Sequence, residues 1–348
     1  MRAAIALRQA LCAGSGAQRW SCQPKRATLA TLAMRGGAHV HSATVGDPPS
    51  DPFAKFAEGL MRCNQKCFER VANDIAWNLP ADATVLDLGA SAGEPSLTIA
   101  SRSKGLKVVS TDFAAPNLEI GTKRAAALGL SDQVEFHTTD AQDLSHWADD
   151  SFDAVTGTYV LMFPPDLDKV CREVRRVLKP GGPFLTTVWQ AAPTVDIFGA
   201  GLMKMVMTMR EAGSLPMPDP DGPPPTNPCN LSNSVPNGKL GDALRAAGFS
   251  DVSVEEWAYP ICIAGTDPTD VATRYIEGTP FYNEILEFGG EPLLAEAVGV
   301  LVKIFEEAGH EMVDLATHVP QWSGVDNPDG LTKGMLFKTN TCLYITCT

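Results

Sequence analysis

The spacing of hydrophobic residues along the chain changes near residue 80. Between residues 53 and 79, apolar side chains recur at spacings of three, four and more, which predicts a helix that Pro80 ends. Beyond Pro80, short β-branched runs alternate with helical patterns. The predicted strands cover 83–88, 107–111, 133–137, 152–158 and 184–189, and the helices cover 94–103, 116–128 and 166–178. This alternation is typical of a parallel sheet with helices on both faces.

The second half of the chain predicts two insertions and the last strands of the sheet. A Met-rich helical stretch at 202–209 leads into a Pro-rich loop at 216–228. A helix at 238–247 and a strand at 251–258 resume the alternation, a helical segment covers 267–310, and a strand-like run closes the chain at 337–347. Because that last run follows a long insert, we expect it to return antiparallel beside the fifth strand.

These elements predict one doubly wound α/β domain over residues 47–348. We expect a core at 80–190, 237–258 and 337–348, a helical and Pro-rich insert at 191–236, and a helical lid at 260–335. The sheet would have seven strands. The sequence leaves the oligomeric state open.

The first 46 residues have the composition of a transit peptide. They hold six basic residues and no Asp or Glu, and their opening run can form a helix with Arg2 and Arg8 beside an apolar face. We expect an organellar address, a mitochondrion first and a plastid second. A secretory signal is disfavoured because the apolar stretch is short and interrupted by charge.

The remainder of the chain is strongly acidic. Beyond residue 46 it has 22 basic residues against 41 acidic ones. Such a body repels phosphate backbones and anionic lipid, which argues against a nucleic-acid or peripheral-membrane role. No run of 18 apolar residues predicts a membrane span. A small neutral or cationic substrate suits this charge better.

The nine cysteines suggest neither a zinc site nor a disulfide framework, because they are odd in number and scattered. Cys63 and Cys67 are four residues apart and would share a helix face. That spacing is compatible with a soft metal or a thiophilic substrate, although free cysteines commonly pack as small hydrophobic residues.

The strongest motif lies between the first predicted strand and the following helix. The run Val85-Leu-Asp-Leu-Gly-Ala-Ser-Ala-Gly-Glu-Pro95 carries an apolar strand into a turn of small residues. Small side chains let a ligand approach the backbone, and the helix N-terminus offers free N–H groups. A plain tight turn would look the same.

Asp112, at the end of the second predicted strand, favours a nucleoside ligand. It follows Gly93 by 19 residues, where a carboxylate can accept hydrogen bonds from both hydroxyls of a ribose. A nucleotide-linked oxidoreductase would carry the same acid. However, its turn reads GxGxxG, whereas Gly89 and Gly93 here are four residues apart without the middle glycine.

Taken in order, the motifs resemble those of class I S-adenosylmethionine-dependent methyltransferases. The similarity rests on DLGASAG, TDF, TTDAQDL, SFDAVTGTYVLMF and VRRVLKPGG, and it covers about residues 80–190. A looser likeness extends over LGDALRAAGFSDVSVEEW at 237–258. The chain is most similar to the methyltransferase type 11 group, which includes the ubiquinone and menaquinone C-methyltransferases. The resemblance implies a sheet of order 3-2-1-4-5-7-6 whose last strand is antiparallel.

The resemblance also implies roles for residues in the glycine turn. Asp87 and Gly89 would form the methionine side of an S-adenosylmethionine site, and Gly93 would lie beneath it. Ser91 departs from the usual motif, which commonly has glycine there, and we expect a slightly narrower turn without loss of binding.

The remaining implied contacts follow strands two to four. Asp112 would hold the ribose hydroxyls and Phe113 would pack on the adenine, while Asp140, with Ala141, would meet the adenine amino group. Thr158, with Tyr159 after it, would lie near the sulfonium.

Methyl transfer from a sulfonium is an in-line displacement in which the protein mainly aligns the acceptor and excludes water. A general base helps if the acceptor is a hydroxyl or an acidic carbon, whereas a thiol, thioether or amine can react by orientation alone. Tyr159 is the best-placed base, although an unperturbed phenol is a poor base near neutral pH. The other candidates are His137, His146, His310 and His318.

The acceptor is expected to be a small molecule. After strand four, methylases of DNA or protein amides carry an Asn/Asp-Pro-Pro-aromatic sequence, whereas this chain reads Thr-Tyr-Val-Leu at 158–161. The Met-rich stretch and the segment 267–310 would form the pocket. Two alternatives stay open: an organellar assembly factor that keeps the fold and binds a protein partner, and the oxidoreductase.

Overall fold

The computed structural model describes residues 63–102, 104–189, 201–217, 239–279, 281–318 and 330–348. The predicted transit segment, the first part of the predicted helix at 53–79, and the Pro-rich loop lie outside these residues.

The described chain folds around one mixed sheet of eight strands. Their bounds are β1 Thr84–Asp87, β2 Lys107–Asp112, β3 Val134–Thr138, β4 Ala154–Thr158, β5 Phe184–Trp189, β6 Ser253–Ala264, β7 Glu311–Asp314 and β8 Lys333–Cys347. The strand order is β3-β2-β1-β4-β5-β8-β6, and β7 pairs with β8. Strands β1 to β5 are parallel, and β8 is antiparallel to both β5 and β6. The predicted order and the antiparallel return of the last strand are confirmed, whereas the predicted number of seven strands is wrong by one, because the short strand β7 adds to β8.

Nine helices accompany these strands in the described residues. Their bounds are α1 Gln65–Asn78, α2 Ser96–Arg102, α3 Ala115–Leu128, α4 Leu167–Val177, α5 Leu202–Glu211, α6 Lys239–Ala246, α7 Pro268–Glu277, α8 Phe281–Glu307 and α9 Leu315–His318. The predicted segment at 267–310 is thus two helices, and the second is kinked at Gly290, which has a φ of 62°. No helix among the described residues is long and apolar enough to cross a membrane.

Strands β6 and β8 are longer than the sequence predicts. They pair from Ser253 to Ala264, whereas only 342–347 of β8 pair with β5. The sequence interpretation ended the strand at residue 258, and Pro260, which donates no ladder hydrogen bond, follows two residues later. In the structure, the register shifts between Tyr259 and Ile261, and this irregularity accommodates the proline. The antiparallel pair therefore extends beyond the end of β5.

Arg70 links helix α1 to the sheet. The Arg70 guanidinium lies 4.6 Å from the ring centre of Trp257 and 4.0 Å from that of Tyr344. It also donates to both carboxylate oxygens of Glu255, and the Tyr344 hydroxyl donates to Asp74 on α1 at 2.7 Å. On the same face of α1, the Cys67 Sγ lies 3.9 Å from the Thr187 Oγ1 of β5. These contacts hold the N-terminal end of α1 near the carboxyl ends of β4 and β5.

Candidate functional site

Three of the predicted site residues meet at one edge of the sheet. Asp87, Asp112 and Thr158 are the last residues of β1, β2 and β4. Strand β1 pairs with both β2 and β4 in parallel, so their carboxyl ends lie together. Ligands of doubly wound folds bind at this edge.

The turn after β1 requires an unusual backbone. Gly89, Ser91 and Gly93 have φ values of 63°, 51° and 96°, a region that side chains with a Cβ rarely adopt. A Cβ on Gly89 would lie 2.4 Å from Cγ2 of Val160. Glycine at 89 therefore keeps backbone and β4 in close approach, and serine holds a left-handed conformation at 91.

Asp112 is the acid that braces this turn. One carboxylate oxygen accepts from the Ser91 N–H at 2.9 Å and the other from the Ala114 N–H at 2.8 Å. Burial raises the pKa of Asp112, although these backbone donors oppose the shift. The Asn117 side chain also donates to this carboxylate, whose two oxygens together offer about four lone-pair sites. The next residue, Phe113, is 62% exposed and can offer its ring to a planar ligand.

Asp87 does not face the cleft. It has no exposed surface, and its oxygens accept from the Ser96 hydroxyl at 2.6 Å and the Thr156 hydroxyl at 2.8 Å. The expectation that Asp87 forms the methionine side of the site is corrected: its carboxyl lies beneath the turn and joins β1, β4 and α2. Burial raises the pKa of Asp87 to about 7.

The raised pKa of Asp87 predicts a pH-dependent stability. Between pH 4 and 7 the folded chain retains a proton that the unfolded carboxyl, with its ordinary pKa of 3.8, has lost. The free energy of unfolding should therefore decrease as the pH rises through this window, by about 1.4 kcal/mol per pH unit. Urea titrations of Asp87→Asn should lack that decrease.

Asp82→Asn serves as the control, since it removes one exposed carboxylate from the turn that precedes β1. Asp82→Asn should keep the pH profile of the parent chain. If Asp87→Asn keeps that profile as well between pH 4 and 7, the assignment of this titration to Asp87 is wrong.

A buried ion pair supports the turn from below, and the sequence analysis missed it. Arg124 of α3 donates to Glu94 at 2.9 Å and to the Ala92 carbonyl at 2.7 Å, and both side chains are about 6% exposed. Glu94 also accepts from the Thr98 hydroxyl at 2.6 Å. Removing either partner would leave an uncompensated buried charge, which is strongly destabilising. Nothing in the local pattern around Arg124 indicates its partner, which lies 30 residues away.

The residues predicted to meet the adenine amino group follow β3. The Asp140 carboxylate is exposed and accepts from the Gln142 backbone N–H at 2.9 Å, and Ala141 is half-buried against the core. Gln142 in turn accepts from the Asp166 N–H at 3.0 Å. Strand β3 is two strands away from β1, so these side chains lie at the far side of the glycine turn from β4.

Thr158 and Tyr159 lie at the end of β4. The Thr158 hydroxyl is buried and has no hydrogen-bond partner, which makes it available to a ligand. Tyr159 is buried, and its hydroxyl hydrogen-bonds that of Tyr259. Burial raises the pKa of Tyr159 well above 10. Tyr159 is therefore corrected as a general base, because its phenol stays protonated near neutral pH.

The four candidate histidines have other contacts. His137 lies 3.1 Å from Glu135 and packs edge-on against Trp147, as does His146. His310 packs between Phe305 and Phe337. His318 lies 3.1 Å from the Asp314 carbonyl. None of these contacts involves the glycine turn or the end of β4.

The cysteines separate in the structure. Cys67 lies against Thr187 and Cys342, and its hydrogen bond, together with burial, raises the pKa of Cys342. Cys63 lies near Tyr275 of α7 instead. Within the described ranges, no group of three or more His, Cys, Asp or Glu side chains could hold a metal ion. A cavity of about 570 Å³ between α4 and α6 contains none of the predicted site residues.

Comparisons with known proteins identify the same segment. Residues 85–182 match a family model described as a methyltransferase domain. The chain is 33% identical over 178 residues to methyltransferase GfsG of Streptomyces halstedii, covering 51% of this chain and 60% of GfsG. It is 33% identical over 138 residues to sterol 4-C-methyltransferase strm-1 of Caenorhabditis elegans, covering 40% and 39%.

A third relative is demethylmenaquinone methyltransferase of Clavibacter sepedonicus. The two chains are 37% identical over 131 residues, which are 35% of this chain and 51% of that relative. The chain thus spans between 39% and 60% of the lengths of these three relatives.

Proposed function

Because this chain carries a class I S-adenosylmethionine-dependent methyltransferase domain, we propose that it transfers the methyl group of S-adenosylmethionine to a small-molecule acceptor. The observation that carries the proposal is the hydrogen bond that the Ser91 N–H donates to the Asp112 carboxylate at the carboxyl edge of the sheet. It places a carboxylate beside a turn of small residues, whose course depends on glycine at 89 because Val160 packs against that bare backbone.

The residues at this edge fit the cofactor. The Val160 side chain packs where a Cβ of Gly89 would lie and so fixes the turn, and the buried hydroxyls of Ser91 and Thr158 have no protein partner. Buried polar groups of native proteins are nearly always paired, so these hydroxyls indicate a polar ligand. Asp112 would hold the ribose, and exposed Phe113 would cover the adenine.

When bound, S-adenosylmethionine supplies a methyl group on a sulfonium, whose bond to sulfur breaks as an acceptor lone pair attacks. The protein's part is to align the two reactants and to exclude water. Asp112 and the glycine turn fix the nucleoside end. The Glu94–Arg124 pair holds the shape of the turn through the Ala92 carbonyl. Thr158, at the end of β4, faces the reacting centre.

A small-molecule acceptor is supported by charge and by the relatives. Beyond residue 46 the chain is strongly acidic, which opposes a phosphate backbone. Two of the relatives are named for the methylation of a sterol and of demethylmenaquinone. We extend only this coarse class, a small molecule, to the present chain, and we infer that nucleic acid is not its substrate.

The test is a screen of the purified chain with S-adenosylmethionine against quinols, thiols, amines and precursors of sulfur zwitterions. Formation of S-adenosylhomocysteine reports turnover, and calorimetric titration reports cofactor binding. Absence of cofactor binding would contradict the proposal. Turnover of an oligonucleotide or a protein in preference to every small molecule would contradict the acceptor class.

We also propose an organellar location, from the acid-free basic segment at 1–46. A fluorescent fusion to the full chain should co-localise with mitochondria, or with plastids where a cell has them. A fusion lacking residues 1–46 is the control and should stay diffuse. Diffuse cytosolic fluorescence of the full-length fusion would count against the proposal.

A further inference from the structure

A chain of buried hydrogen bonds lies where α1 covers the ends of β4 and β6. The Tyr159 hydroxyl hydrogen-bonds the Tyr259 hydroxyl. The Tyr259 hydroxyl donates to the side-chain Oδ1 of Asn64 at 2.6 Å. Asn340 of β8 is the cross-strand partner of Tyr259, and such partners share a face of the sheet. We call these four residues, Asn64, Tyr159, Tyr259 and Asn340, the amide–hydroxyl cluster.

Asn340 is the unusual member of the cluster. It has no exposed surface, and its Nδ2 and Oδ1 make no hydrogen bond of good geometry, although the amide lies near the Tyr259 hydroxyl and opposes the rise in the pKa of that phenol. Leaving a buried donor or acceptor unpaired costs about 1–3 kcal/mol for each group. An apolar residue would avoid that cost in a β-strand. Tyr259 can pair with at most one of the two polar atoms of this amide, so the other is left for a partner that the described residues do not provide.

The cluster adjoins the proposed reacting centre. Tyr159 directly follows Thr158, whose buried hydroxyl is also without a partner. Thr158 is the cross-strand partner of Thr187, which Cys67 of α1 contacts. Thr158 precedes Tyr159 in the chain and Asn340 pairs with Tyr259 across β6 and β8, so each is the neighbour of one member of the Tyr159–Tyr259 hydrogen bond.

We propose that the amide–hydroxyl cluster binds an uncharged hydrogen-bonding group of the methyl acceptor, a hydroxyl, carbonyl or amide, while the reacting atom lies toward Thr158. This inference rests on the proposed function and adds to it a substrate class and the residues that select it. Asn340 can both donate and accept, so it matches any of these three groups.

The chemistry of the cluster disfavours a charged group. Its side chains are amides and phenols, and burial raises the pKa values of Tyr159 and Tyr259 well above 10, so both stay neutral. A carboxylate held here would lose its hydration without a paired cation, which costs several kcal/mol. The arginine on this face of α1, Arg70, is already bonded to Glu255 and stacked between two aromatic rings.

The test uses matched acceptors that share a reacting atom and differ in one group. With the full chain and S-adenosylmethionine, we would compare hydroquinone with gentisate, 2-mercaptoethanol with mercaptoacetate, and glycinamide with glycine. The kcat/KM for S-adenosylhomocysteine formation, corrected for the enzyme-free reaction, should favour the neutral member by at least about tenfold, which corresponds to about 1.4 kcal/mol.

Asn340→Leu gives the second readout. It should lower kcat/KM for the neutral acceptor by about tenfold, yet raise Tm, because it removes from the interior an amide that the described residues do not fully pair. Ser110→Ala is the control: its hydroxyl is also buried without a partner, in the middle of β2. It should raise Tm without changing turnover. Should Asn340→Leu fail to fold, Tyr159→Phe keeps the ring and removes one hydroxyl, and it should raise KM more than it lowers kcat.

Four outcomes would overturn the inference. They are equal or better turnover of the charged member, unchanged kinetics in Asn340→Leu, unchanged KM in Tyr159→Phe, and no turnover of any of the six acceptors by a chain that binds S-adenosylmethionine. Failure to bind S-adenosylmethionine at all would instead contradict the proposed function, so the two failures are distinguishable.

Discussion

Replacing Asp112 with alanine is expected to weaken S-adenosylmethionine binding by about a hundredfold or more. The carboxylate would lose two hydrogen bonds to ribose hydroxyls, each worth roughly 1.5–3 kcal/mol when one partner is charged. The variant would also leave the Ser91 and Ala114 N–H groups without their acceptors. Because these two backbone bonds are lost, Asp112→Ala should also be less stable than the parent chain.

Asp112→Asn separates the two effects. Its amide oxygen can still accept from one backbone N–H, so it should recover part of the stability that Asp112→Ala loses while binding the cofactor weakly. Asp132→Ala, at an exposed position before β3, is the control for loss of a carboxylate. Calorimetric titration and thermal unfolding give both quantities. Equal dissociation constants for Asp112→Ala and the parent chain would remove Asp112 from the site.

Gly89→Ala is expected to abolish measurable cofactor binding and to destabilise the fold. The left-handed backbone costs a residue with a Cβ about 1–2 kcal/mol. The new methyl group would also lie 2.4 Å from Cγ2 of Val160, and overpacking of this kind typically costs about 1–3 kcal/mol more. The turn must shift to relieve the contact, and the Ser91 N–H would move away from Asp112.

Gly129→Ala is a matched control for the backbone cost. Gly129 ends α3 with a φ of 70°, and a Cβ there would meet nothing within 4 Å. This variant should be destabilised by the backbone cost alone and should bind S-adenosylmethionine like the parent. If the two alanine variants have the same affinity, the close approach of Gly89 to Val160 does not shape the site.

Both predictions concern the glycine turn, yet each tests a different contact that holds it in place. Asp112 reaches the turn from the end of β2, whereas Val160 approaches it from the end of β4. The Glu94–Arg124 pair holds it from α3. The turn is therefore fixed from three sides, and its residues need no large rearrangement to receive a ligand.

The sequence by itself determined the order of the elements and the place of the turn. Strand and helix periodicities are local, so β1 to β5 lie within one or two residues of their predicted bounds. The turn was recognisable because its small residues directly follow an apolar strand, and the backbone conformation that requires them is a local property. The strand order followed from the resemblance and from the late position of β8.

Tertiary structure decided what each of these side chains meets. Asp87 is buried because hydroxyls from Ser96 and from Thr156, 69 residues away, enclose it. Tyr159 meets Tyr259 across 100 residues, and Tyr259 meets Asn64 across 195. Burial and proximity set pKa values and hydrogen bonds, and both depend on neighbours that arrive from distant parts of the chain. For this reason the sequence indicated a candidate site, whereas the fold buried Asp87 against distant hydroxyls, kept Tyr159 protonated and set the amide of Asn340 opposite Tyr259.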